Sequence, residues 1–159
     1  MMVEELIDLY GDDVLRLCLA YLGDRGLAED AFQETFLKAW RSSDRFRGES
    51  SPKTWLCAIA VNTCRDQLRS RWFRMWRKSQ PIESLLDLAA PQEADNAPLV
   101  KAVFSLPGMY REVVLLYYDQ NLNTQEIANV LHLSVNTVST RLRRARKQLE
   151  KALKGEIEP

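Results

Sequence analysis

Between Val3 and Leu22 the apolar residues Leu6, Tyr10, Val14, Leu17 and Tyr21 recur at steps of three and four. That spacing predicts an amphipathic helix with one buried face. "GDRG" breaks it, and a second helix is expected from about Leu27 to Arg41. There Ala28, Phe32, Phe36 and Trp40 make one stripe, while Asp30, Gln33, Glu34 and Lys38 face the other way. "SSDRFRGESSP" reads as a loop. Its end, Ser51-Pro52, is a strong helix start, because serine caps and proline suits the first turn. The helix from Lys53 to roughly Arg71 is expected to bury Trp55, Ile59 and Thr63, or else Leu56, Ala60 and Leu68, before running into "RSRWFRMWRK".

From Ser79 to Pro98 three prolines and four acids, with no base, predict a linker, in which "IESLLDLA" has the pattern of a short helical turn. Beyond it come an expected helix over Val100–Phe104, a break at "LPG", and a helix over Tyr110–Asp119. No internal repeat and no period-two strand pattern occurs. The expected fold is all-α: two small helical domains, 1–78 and 99–155, joined by a flexible acidic linker over 79–98.

The stretch "NTQEIANVLHLSVNTVSTRLRRARKQL" carries the most specific local pattern. Asn123 or Thr124 caps a helix that buries Ile127, Ala128 and Leu131; "HLS" supplies a turn; Ser134 caps a second helix. On that second helix Val138, Leu142, Ala145 and Leu149 form the buried stripe. Outward lie Asn136, Thr137, Thr140, Arg141, Arg144 and Lys147, with Ser139 and Arg143 on the flanks. Small hydroxyl and amide groups come first and cations follow. A recognition helix in the major groove wants that order: base edges at its N-terminal end, phosphates later. The C-terminal domain is therefore expected to be a helix-turn-helix. A solvated amphipathic helix would also place cations near its C-terminus, but the helix pair, with Ala128 small enough for close crossing, favours the DNA reader.

Composition sharpens this. The chain has 159 residues, 46% hydrophobic and 28% charged, as in ordinary soluble globular proteins. Its 22 Lys+Arg balance 22 Asp+Glu, yet the charge is segregated. Residues 1–34 hold nine acids and two bases, residues 35–80 eleven bases and three acids, and residues 136–154 seven bases and one acid. Local charge is what a phosphate backbone feels, so a net charge of zero does not exclude a polyanion partner. In 35–80 the cations are interleaved with Trp40, Phe46, Trp55, Trp72, Phe73 and Trp76, a composition suited to single-stranded nucleic acid. Trp40 and Trp55 fall on apolar stripes and are expected in the core.

Other classes fall away. "MMVEELIDLY" is acidic and lacks the basic start and apolar core of a secretory signal. No apolar run reaches bilayer length, so a cytoplasmic protein without direct membrane insertion is expected. Cys18, Cys57 and Cys64 form no CxxC pair and read as buried core thiols; with His132 the lone histidine, no metal site is expected. No paired carboxylates, Ser/His/Asp set or glycine-rich phosphate loop suggests an enzyme or a cofactor.

Four ordered segments, "AEDAFQETFLKAW", "RFRGESSPKTWLCAIAVNTCRDQLR", "LPGMYREVVLLYYDQNLNTQEIANVL" and "SVNTVSTRLRRARKQL", together resemble an extracytoplasmic-function sigma factor of the sigma-70 family. The resemblance spans nearly the whole chain. It implies a promoter-recognition subunit of bacterial RNA polymerase, without catalytic activity, and an anti-sigma factor as regulator. Asp30, Gln33, Glu34, Phe36 and Leu37 then match a surface that docks on core polymerase. Phe46, Arg47, Gly48, Glu49, Ser50 and Asn62 match the reader of the −10 element, where a base is extruded as promoter DNA melts. Ser139, Thr140, Arg141, Arg143 and Arg144 match the reader of the −35 element, and the outward Asn136, Thr137 and Lys147 of the same helix are expected to join it. Pro52 stands where the family usually has an aromatic or apolar residue. A twenty-residue linker could span roughly 65 Å if fully extended, comparable with the separation of two promoter elements. Two other readings compete. A homodimeric helix-turn-helix regulator shares the C-terminal pattern but leaves the N-terminal motifs unexplained. A helical adaptor that binds no DNA leaves the Asn136–Arg144 face unexplained.

Overall fold

In the computed structural model, residues 2–46, 48, 50–78 and 97–157 are described, and for 71–78, 97, 156 and 157 the backbone alone. The chain divides into two compact units, Met1–Ala89 and Ala90–Pro159. All regular structure among the described residues is helical.

The first unit is three helices, α1 (Val3–Leu22), α2 (Arg25–Ser42) and α3 (Pro52–Lys78), each packed on the other two. α1 stops where Gly23 adopts φ 68, a left-handed conformation that glycine takes without steric cost, and its N–H donates to the Leu19 carbonyl. Asp24 then caps α2 by accepting from the Leu27 N–H at 2.9 Å, so α2 starts two residues before the periodicity alone suggests. A short 3₁₀ turn, Ser43–Arg45, follows. Ser51 caps α3 as its sequence predicts, its Oγ accepting from the Thr54 N–H at 3.1 Å. Leu6, Val14, Leu17, Cys18 and Tyr21 of α1 meet Ala28, Ala31, Phe36 and Ala39 of α2 and Leu56, Ala60, Val61 and Cys64 of α3, all buried. The three thiols are buried core groups, as expected.

Two expectations fail here. Trp40 is 64% exposed rather than in the core. On α3 the second of the two expected faces, through Leu56 and Ala60, is the buried one, completed by Cys64 rather than the partly buried Leu68. Thr63 is buried too, but Trp55, expected in the core, is only half-buried, as is Ile59.

The second unit contains α4 (Ala97–Ser105), α5 (Gly108–Val114), α6 (Thr124–Leu131) and α7 (Val135–Ile157). α5 continues as a π-helical turn over Leu115–Asp119, so the single helix expected over Tyr110–Asp119 changes hydrogen-bond period halfway. α4, α5 and α6 all pack on α7. Val138, Leu142 and Ala145 are buried as the stripe predicts, against Ala102, Leu106, Val114 and Ile127, while Leu149 at the edge is partly buried. The expected linker and the "IESLLDLA" turn lie outside the described residues up to residue 96, and so do the side chains of Trp72, Phe73 and Trp76.

Candidate nucleic-acid interface

The helix-turn-helix is built by caps. Asn123 accepts from the Glu126 N–H at 2.8 Å, and the Glu126 carboxylate accepts from the Asn123 N–H at 3.0 Å, a reciprocal capping box that starts α6. α6 ends at His132, whose φ of 57 is left-handed for a non-glycine residue; its N–H, like that of Leu133, donates to the Ala128 carbonyl. Ser134 then caps α7, accepting from the Thr137 N–H at 3.1 Å and sharing a hydrogen bond of 2.8 Å with the Thr137 hydroxyl. A serine cap of this kind is worth about 1 kcal/mol. Here it also fixes the first turn, where Asn136 and Thr137 stand. Buried Ala128 lets α6 cross close to α7.

With Val138, Leu142 and Ala145 turned into the core, the opposite arc of α7 faces solvent. Asn136, Ser139, Arg143, Arg144 and Lys147 are exposed, and Thr137, Thr140 and Arg141 half-exposed. The structure thus brings all eight predicted upstream readers onto one cationic arc. A hollow of about 360 Å³ lies beside it. Asn136, Thr137, Thr140, Arg141 and Arg144 line one wall; Met109 and Tyr110 of α5 line the other. Sequence reasoning missed these last two, because α5 is distant in sequence and their contact with α7 is purely tertiary.

Arg146 is different. Its Nε donates to the Tyr118 hydroxyl at 2.6 Å, and its guanidinium lies 5.4 and 5.6 Å from the ring centroids of Tyr117 and Tyr118. The Tyr118 hydrogen bond raises its pKa above the ordinary arginine value, with burial opposing. This cation is engaged by the π-helical turn and is not part of the free arc.

In the first unit the loop before α3 places Phe46 on Trp55, ring centroids 4.9 Å apart and planes at 32°. Asn62 is exposed and sits seven residues after Trp55, so two turns along the same face of α3. Trp55, expected in the core, therefore connects Phe46 to the Asn62 face. Gly48 is exposed with φ 74, and half-buried Ser50 points its hydroxyl at the Ser51 carbonyl. Arg47 and Glu49 lie outside the described residues.

On α2, Asp30, Gln33 and Leu37 are exposed and Glu34 is half-exposed. Phe36 is not part of this surface: at 5% exposure it packs on Phe32 at 5.0 Å in the core. Exposed Trp40 lies on the same face, three residues after Leu37 and seven after Gln33. Among the described residues no helix is long and apolar enough to cross a membrane, and no group of His, Cys, Asp and Glu could hold a metal ion.

Comparison with known proteins accounts for both units. The sigma-70 region 2 family matches residues 6–74, and the sigma-70 region 4 family residues 98–149. The chain is 29% identical to the ECF RNA polymerase sigma factor SigW of Bacillus subtilis, over 94% of this chain and 88% of that protein. It is 30% identical to the ECF RNA polymerase sigma factor SigM of the same organism, over 94% of each. Its fold matches that of the sigma factor RpoE, solved with the anti-sigma factor NepR from Bartonella quintana, with a TM-score of 0.79 and 24% identity over 95% of this chain and 96% of that one. The chain belongs to the extracytoplasmic-function sigma factors of the sigma-70 family.

Proposed function

We propose a division of labour among the surfaces of this sigma factor. The chain is a promoter-recognition subunit of RNA polymerase. Within it, the arc of α7 reads the upstream (−35) element, Thr140 and Arg141 through base edges and Arg143, Arg144 and Lys147 through phosphates. Phe46, with Gly48 and Ser50 before α3, Asn62 within α3, and Arg47 and Glu49 of the same loop, captures a base of the −10 element as the duplex opens. The outer face of α2, through Asp30, Gln33, Glu34, Leu37 and Trp40, docks on core polymerase. The domains are 1–78 and 99–155, with 79–98 between them. The protein works in the cytoplasm, where polymerase and DNA are, and does no catalysis itself.

The observation that supports this best is the capped α7 with every hydroxyl, amide and cation of its outward arc unburied and every apolar residue of its inner stripe packed. An anti-sigma factor as regulator fits the solved relative, which was captured with one. Run-off transcription with core polymerase across a promoter library is the test. Transcription that depends on the chain and selects a shared upstream and downstream motif is expected. Sequence-independent output, or binding to a palindromic duplex without polymerase, would favour a homodimeric regulator instead.

A further inference from the structure

We propose that Met109, outside the recognition helix, reads a thymine of the upstream element through its 5-methyl group. The inference rests on α7 being the upstream reader.

Met109 is 49% exposed. Scattered exposed apolar side chains are common and need no explanation; the place of this one is what matters. It forms part of the wall of the hollow opposite Asn136, Thr140 and Arg141. Behind it Tyr110, partly buried against Leu106, Val114 and Ala145, fixes that wall to the core beneath α7. Every other group on the α7 side is a hydrogen-bond donor or acceptor. A helix laid in the major groove with Asn136 and Thr140 toward the bases would carry the Met109 thioether along the same groove edge. The apolar feature that edge offers is the thymine methyl. Thioethers are flexible and polarisable, suited to such a contact. The cationic arc beside the hollow supplies the charge complementarity that draws duplex DNA, rather than a protein, to this surface.

The test uses holoenzyme assembled from the full chain and core polymerase, on a promoter chosen by library selection. Each thymine of the upstream element is replaced singly by deoxyuridine, which removes the methyl and leaves the hydrogen-bonding pattern intact. One such replacement should weaken wild-type binding about fourfold, the weight of one buried methyl group. The same replacement should cost Met109→Ala nothing, while Met109→Leu should keep most of the sensitivity. If no deoxyuridine effect depends on residue 109, or if no upstream thymine matters, the inference is overturned. Uniform weakening of all sequences by Met109→Ala would likewise overturn it, since that marks a sugar-phosphate contact. Thr140→Ala and Arg141→Ala separate this outcome from failure of the underlying reading. If they alter the selected upstream sequence and Met109→Ala does not, the recognition helix stands and the Met109 role falls. If none of the three alters it, both fall.

Discussion

Arg144 and Arg146 are two residues apart on α7 and carry the same charge, but the structure predicts opposite responses to their removal. Both are exposed, but Arg144 stands on the arc, whereas Arg146 donates to the Tyr118 hydroxyl at 2.6 Å and lies over the Tyr117 and Tyr118 rings. Each phosphate neutralised by a cation contributes about −0.9 to the slope of log affinity against log salt. A fourfold rise in salt then costs roughly 3.5-fold per contact, and about 40-fold for three contacts through Arg143, Arg144 and Lys147. Arg144→Ala should flatten the slope by about 0.9. Arg146→Ala should leave the slope unchanged. It should instead lower the stability of the second unit by about 1 kcal/mol, the scale of an exposed cation–π contact with a hydrogen bond. Fluorescence anisotropy of a promoter duplex with holoenzyme, across a salt series, gives both slopes; polymerase contributes equally to each and drops out of the difference. Thermal unfolding of the free variants gives the stability. A slope change for Arg146→Ala as large as that for Arg144→Ala would show that the tyrosines do not hold this cation back, and would refute the partition of charge on α7.

Two further outcomes are expected. Trp40→Ala, and separately Gln33→Ala with Glu34→Lys, should weaken binding to core polymerase, with the tryptophan costing about 2 kcal/mol if it is an interface anchor; unchanged affinity with helicity intact would remove α2 as the docking face. Phe46→Ala and Asn62→Ala should reduce strand opening more than duplex binding, by about 1–3 kcal/mol for a lost stacking contact. Permanganate reactivity of the −10 region measures this, and wild-type opening in both variants would end the assignment.

Much of the second unit is legible in the sequence because its signals are local. Asn123 with Glu126, and Ser134 with Thr137, are caps three residues apart, and the stripe Val138, Leu142, Ala145 mixes steps of four and three, which keeps it on one side of a helix. What is not legible there is tertiary. Nothing near Met109 announces that it faces Thr140, and nothing near Arg146 announces Tyr118, twenty-eight residues earlier.

The misplaced residues of the first unit share one physical cause. A helix turns about 100° per residue, so a stripe made only of four-residue steps drifts by about 40° each time. Ala28, Phe32, Phe36 and Trp40 make three such steps, which carries Trp40 about 120° away from Ala28. The core instead follows Ala28, Ala31, Thr35 and Ala39, whose mixed steps stay on one side. Phe36 remains just within that side and is buried, while Trp40 passes beyond it to join Gln33 and Leu37. On α3 the same competition is settled by Leu56, Ala60 and Cys64, which leaves Trp55 on the face of Asn62 with Phe46 stacked against it. Each tryptophan expected in the core thus lies on or beside a surface proposed for a partner: Trp40 on the α2 face proposed to dock on polymerase, Trp55 beside Phe46, proposed to capture a base. A bulky aromatic at either end of an apolar stripe made only of four-residue steps lies off the core side, beside the exposed polar residues next to it.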